Sequence, residues 1–111
     1  LTTVPASICI AAYLVKMNQN FKEIKTIKIS EGGVTETAVD VREIMRHVVI
    51  NKGTIIAIAH NHPCGSPSPS KNDDLLTTQI SKACEIMRIF FMDHIIIGDN
   101  AYYSYHDKGR V

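Results

Sequence analysis

The stretch "TIIAIAHNHPCGSPSPSKNDD", Thr54 to Asp74, is the segment around which the fold must be built. Its opening, Thr54 to Ala59, is a short continuous apolar run between Gly53 and a Pro/Ser loop, and reads as a buried central strand. Pro63, Pro67 and Pro69 stiffen the loop and keep it out of a helix. Ser70 then has the character of a helix N-cap, with Asp73 at the third helical position.

Upstream, Ile8 to Met17 is apolar and β-tolerant, and Asn18–Gln19–Asn20 reads as a turn. In "KEIKTIKIS", Ile27 and Ile29 alternate with Lys28, which sends Lys28 to the opposite face of a strand; the two segments make a β-hairpin. Gly32–Gly33 ends it. Asp40 with Glu43 three residues on has the form of a capping box, ahead of Ile44, Met45, Val48 and Val49 at helical spacing. Asn51–Lys52–Gly53 stops that helix, with Gly53 expected as the left-handed cap. Downstream of Ser70, Leu75, Leu76, Ile80, Ala83, Cys84 and Met87 form the expected buried stripe of a second helix. "IFFMDHIIIGDNAYYSY" closes the chain as two strands about a Gly98–Asp99–Asn100 turn. The order is β-β-α-β-α-β-β, an α/β class with a mixed sheet.

A chain of 111 residues fits a single domain spanning 1–111 with one modest core, and 45% hydrophobic residues is an ordinary globular composition. A net charge of +1 argues against a broad nucleic-acid or membrane footprint. No apolar run approaches the roughly 18–20 residues of a membrane helix. The start at Leu1 rather than Met suggests a piece of a longer protein. Cys9, Cys64 and Cys84 are odd in number, scattered and without a C-x-x-C, which points to a reducing, cytoplasmic setting. Cys9 and Cys84 read as small buried hydrophobes. Cys64 has no base beside it to mark it as a nucleophile.

The chemistry concentrates in the quoted loop. The period of two puts His60 and His62 on one face of a strand end, and Asp73 falls in the first turn of the next helix. Two nitrogens and a carboxylate oxygen can converge there, and a water in a fourth position would complete a tetrahedral zinc site with hydroxide available near neutral pH. The bland alternative is equally concrete: His-x-His is weak alone, and a helix cap accounts for Ser70 and Asp73 without metal. Reading His60–Asn61–His62 as an HNH nuclease is disfavoured, because that name describes residues spread through a ββα-metal fold.

The longer string His60-x-His62-Pro63-x6-Ser70-x2-Asp73 matches the JAMM motif of JAB/MPN metallohydrolases. "AHNHPCGSPSPSKND", "VREIMRHVVINKGTIIAIAH" and "MDHIIIGDNAYYSY" together resemble the RadC-like bacterial branch over nearly the whole chain. The resemblance implies a cytidine-deaminase-like α/β/α sandwich. It implies His60, His62 and Asp73 as zinc ligands, Ser70 as the serine that hydrogen-bonds a tetrahedral intermediate, and hydrolysis of an amide or isopeptide bond in a peptide-like substrate. It carries a link to DNA repair through the family name.

The same resemblance exposes one departure. The family's general-base glutamate, placed by aligning Gly32 and Thr37, falls at Lys28, whose ammonium has donors only. Glu31 is the nearest substitute base, with Glu36 also close in sequence; a bulge beside Gly32–Gly33 would be needed to aim Glu31 at the site. Lys28, with Lys22 and Lys25, also motivates an alternative: an inactive JAB-fold module that binds protein or DNA. His47 and His106 read as surface residues, and His94 as a structural, hydrogen-bonded histidine. Edge strands in so small a sheet leave a homodimer open.

Overall fold

The structure is a computed structural model, and it describes residues 9–17, 22–31, 40–62 and 65–111. Five strands and two helices run β1(Cys9–Met17), β2(Lys22–Glu31), α1(Val41–Ile50), β3(Ile55–Asn61), α2(Lys71–Met87), β4(Phe90–Ile97) and β5(Tyr102–Ser104). The sheet order is β2-β1-β3-β4-β5. β1 is antiparallel to both β2 and β3, β3 and β4 are parallel, and β5 returns antiparallel to β4. The expected element order, hairpin and mixed sheet are all present. The Asn18–Gln19–Asn20 turn and Gly32–Gly33 lie outside the described residues.

β3 is the middle strand, and Ile56 to Asn61 are all buried, as the unbroken apolar run requires. Ile56 and Ile58 meet Ile44, Met45 and Val48 of α1, Leu76, Ile80 and Cys84 of α2, and Phe91 of β4 in one cluster. Both described helices therefore cover the same face of the sheet, the face onto which alternation also directs His60. Ile27 and Ile29 pack against the cluster, and Lys28 between them is exposed.

Several local expectations are corrected. Asp40 caps α1 by accepting from the Arg42 N–H at 2.9 Å, but Glu43 does not turn back to close a box; its carboxylate is taken by Arg46. Lys52, not Gly53, takes the left-handed conformation (φ 56°), while the Gly53 N–H reaches the Val48 carbonyl at 2.9 Å. On α2, Leu75 and Met87 are 56% and 40% exposed. Leu76, Thr77, Ile80 and Cys84 form the true inner stripe; Leu75 lies about 100° round from Leu76, and Met87 overhangs at the last turn.

Ile80 is fully buried and Ile86 is 83% exposed, so they separate packing from helix propensity. Ile80→Ala is expected to lower unfolding free energy by about 2–5 kcal/mol. Ile86→Ala is expected to change it by less than about 0.5 kcal/mol, both read by urea denaturation.

Candidate metal centre

His60 and Asn61 end β3, and the next residue, His62, bonds through its N–H to the Ile97 carbonyl of β4 at 2.9 Å. The chain then turns through Gly65, whose N–H returns to the His62 carbonyl at 3.0 Å. A clasp between glycines holds this loop to the β4–β5 turn. A Cβ on Gly98 would stand 2.3 Å from the Gly65 carbonyl oxygen, and one on Gly65 would stand 2.5 Å from Asp99 Oδ2. Gly65 also has φ +90°, which side chains rarely adopt.

Ser70 caps α2 through a complete box: its Oγ accepts from the Asp73 N–H at 3.1 Å, and Asp73 Oδ2 accepts from the Ser70 N–H at 2.9 Å. That box fixes Asp73 facing inward. Its neighbour Asp74 faces the C-terminal segment, where Oδ1 takes the Tyr105 hydroxyl at 2.6 Å and the Arg110 guanidinium at 2.8 Å.

His60, His62 and Asp73 are brought together, only 2%, 6% and 3% exposed. His60 Nδ1 lies 3.1 Å from Asp73 Oδ1, and His62 Nε2 lies 3.0 Å from Asp73 Oδ2. The chemistry of these donors fits a cation. His62 Nδ1 faces the Ser66 carbonyl at 3.0 Å, so it must donate there. A neutral His62 then turns the lone pair of Nε2 at a carboxylate oxygen. Only a second proton or a metal ion relieves that opposition. His60 Nδ1 makes its close approach to Asp73 without forming a hydrogen bond. These residues can hold a metal through His60 Nδ1, His62 Nε2 and the Asp73 carboxylate. Burial alone would raise the Asp73 carboxyl, but the His60 contact and the Ser70 N–H outweigh it and hold it well below the usual carboxylate range.

Ser70 stands at the rim of this group with its oxygen committed to the cap; its hydroxyl hydrogen meets no acceptor among the described residues. Lys28 is not brought to it. Lys28 and Ala59 are both register partners of Ala11, which puts Lys28 on the sheet face opposite His60. Lys28 therefore neither occupies a base position beside the metal group nor repels an ion there. Glu31 ends β2 opposite Cys9, and its side chain lies outside the described residues, as do Glu36 and Cys64. The β2 irregularity falls between Lys28 and Ser30, ahead of the expected glycines. Exposed His106 and half-buried His47, which approaches Glu43 at 3.6 Å, stand apart from the metal group.

Two residues border the group that the linear pattern did not place there: Thr77, and His94, which reads from sequence only as a structural histidine. Thr77 donates to the Asp73 carbonyl at 2.9 Å and meets His94 Nδ1 at 2.6 Å. His94 is fully buried, and burial first of all pulls its imidazole down to about 4. Signals for both exist: Thr77 is one turn beyond Asp73, and alternation in "DHIIIG" puts His94 on the face of fully buried Ile96.

The fold and site define an α/β domain that presents a buried His-His-Asp group where a strand end meets the start of the following helix. A family model described as "RadC-like JAB domain" matches residues 11–110, and the chain belongs to that family. It is 42% identical over 98 residues to a UPF0758 protein of Porphyromonas gingivalis, covering 87% of this chain and 43% of that protein. It is 38% identical over 99 residues to a UPF0758 protein of Streptococcus gordonii, covering 89% and 42%. A third UPF0758 protein, of Coprothermobacter proteolyticus, is 36% identical over 92 residues, covering 83% and 39%. The chain thus spans about two-fifths of the length of these curated relatives.

Two outcomes are expected. Gly98→Ala drives a Cβ into the Gly65 backbone, 2.3 Å away, and should destabilise the protein by on the order of 1–3 kcal/mol in thermal or urea unfolding. His94 is neutral when folded down to about 4, against 6.5 for the ordinary imidazole, so below 6.5 the unfolded chain binds the extra proton. Its contribution is fully present above pH 6.5 and is lost as pH falls toward 4, on the order of 3 kcal/mol, read as the pH slope of metal-free stability. A folded His94→Gln variant should flatten that slope.

Proposed function

We propose that this chain is a zinc-dependent hydrolase domain acting on an amide or isopeptide bond of a peptide-like substrate. The observation that carries the reading is the buried carboxylate faced by two imidazole nitrogens, one of which has its ring proton committed elsewhere. Family membership supports the same chemistry. A bound zinc ion supplies a water acidic enough to attack a carbonyl near neutral pH.

The chain's own residues divide the remaining work. His60 Nδ1, His62 Nε2 and Asp73 hold the ion; the Ser66 carbonyl fixes the His62 tautomer. Ser70 keeps Asp73 in place through the cap and has a hydroxyl hydrogen with which to steady a developing oxyanion. Of the other acids near the site, Asp74 is held by Tyr105 and Arg110, and Asp93 accepts from Ser104 and the His106 N–H. The register pairs Glu31 with Cys9 and His60 with the adjacent Ile10, so Glu31 is out of phase with His60 as Lys28 is, and the general-base role is assigned to no described residue. No helix among the described residues is long and apolar enough to cross a membrane.

A second reading, a JAB-fold module that holds metal and binds protein or DNA without turnover, is favoured by the position of Lys28 on the face opposite His60. In that case affinity for DNA should fall steeply with salt and with loss of Lys25 and Lys28.

The deciding measurement is metal content of protein purified without added metal. About one zinc per chain is expected, falling to background in His60→Ala and His62→Ala variants that remain folded. Background zinc in the parent, even after supplementation, would refute the reading. Hydrolysis that persists in His60→Ala would refute the mechanism alone.

A further inference from the structure

His94 has none of the roles assigned so far. It is fully buried beside the metal group without being one of the three converging donors. Tyr105 stacks on its ring with centroids 4.9 Å apart and planes 11° apart, and His60 stands 6.2 Å away at 21°. Its tautomer is set by its neighbour. Thr77 has one hydroxyl hydrogen, and this goes to the Asp73 carbonyl at 2.9 Å, because a carbonyl only accepts. The Thr77 oxygen therefore accepts from Nδ1–H of His94 at 2.6 Å. A neutral imidazole that donates from Nδ1 keeps a lone pair on Nε2. That nitrogen is buried with no hydrogen-bond partner among the described residues.

His60 has the complementary defect. Its Nδ1 is turned toward Asp73 Oδ1 at 3.1 Å. Its Nε2 is also buried without a hydrogen-bond partner among the described residues. When Nδ1 gives its lone pair to a metal, Nε2 must carry the hydrogen. One ring then offers a buried donor and the adjacent ring a buried acceptor. Unmet polar groups in such a place are costly, and ligating histidines generally donate from their free nitrogen to a fixed acceptor.

We propose that His94 is a positioning residue for the metal centre: its Nε2 accepts from Nε2–H of His60 through one buried water, and so fixes Nδ1 as the ligand atom of His60. The inference rests on the metal-site reading proposed for His60, His62 and Asp73. It links two ligands by a path that bypasses the ion, from the Asp73 carbonyl through Thr77 and His94 to His60. With metal bound, the helix that carries one ligand and the strand that carries another are then tied together by this second route.

The test compares zinc affinity, by competition with a chromophoric chelator, in the parent chain, His94→Phe and His94→Gln, with folding followed by circular dichroism. His94→Phe keeps a ring against Tyr105 and removes both nitrogens; it should fold and bind zinc about 10–100-fold more weakly. His94→Gln returns a polar terminus able to accept and should recover most of that loss. Nitrogen-resolved histidine spectra of the zinc-loaded parent should show His60 bound through Nδ1 with its hydrogen on Nε2. Unchanged zinc affinity in His94→Phe, or His60 bound through Nε2 in the parent, would overturn the proposal while leaving the metal site intact. Failure of the parent to bind zinc would overturn both. Should His94→Phe not fold, the spectra of the parent decide alone.

Discussion

A carboxylate taken out of water needs compensating charge, and the arrangement around Asp73 is organised by that requirement. The α2 cap supplies one N–H from Ser70, and the helix N-terminus supplies a favourable dipole. Neither explains why two buried imidazoles should crowd the same group. A cation does. The cap and the candidate metal site, which look like competing accounts of Ser70 and Asp73, overlap at one atom. Asp73 Oδ2 both accepts the Ser70 N–H and faces His62 Nε2, while Oδ1 stands outside the cap and faces His60 Nδ1. A carboxylate oxygen has more than one acceptor site, so the two accounts are compatible.

The site also has a topological reason for its place. β3 and β4 are the parallel pair, connected by α2, so the chain must leave the carboxyl end of β3 and travel back over the sheet. Such strand ends are where open α/β sheets leave crevices for ligands. Here the exit loop is not left to wander: His62 is bonded to Ile97, and Gly65 and Gly98 let two backbones approach more closely than any side chain would permit. Positional precision in the ligand set therefore comes partly from residues with no chemistry of their own.

Much of this was legible in the sequence because it depends on local rules. The unbroken run before His60 marked the middle strand, and Ser70 with Asp73 marked the helix start, since both signals act within a few residues. Residues decided by long-range packing were not legible. Leu75 and Met87 are as apolar as Leu76, and only the angle at which α2 meets the sheet separates them. Lys28 aligned with a base position in the linear pattern, yet cross-strand register carries it to the other face. Alternation marked His94 as buried but not its company, because Thr77 of α2, His60 of β3 and Tyr105 just after β5 reach it from separate parts of the chain.

Both helices finish at the pole of the sheet away from the metal group, and both finish on a residue other than glycine in the left-handed region, Lys52 and Arg88, each at φ 56°. A side chain in that conformation costs roughly 1–2 kcal/mol, which a glycine would not incur. The chain thus carries removable backbone strain at one end and its ligand group at the other. Robustness and chemistry sit on separate parts of the molecule, so a lineage or an engineer can adjust the first without disturbing the second.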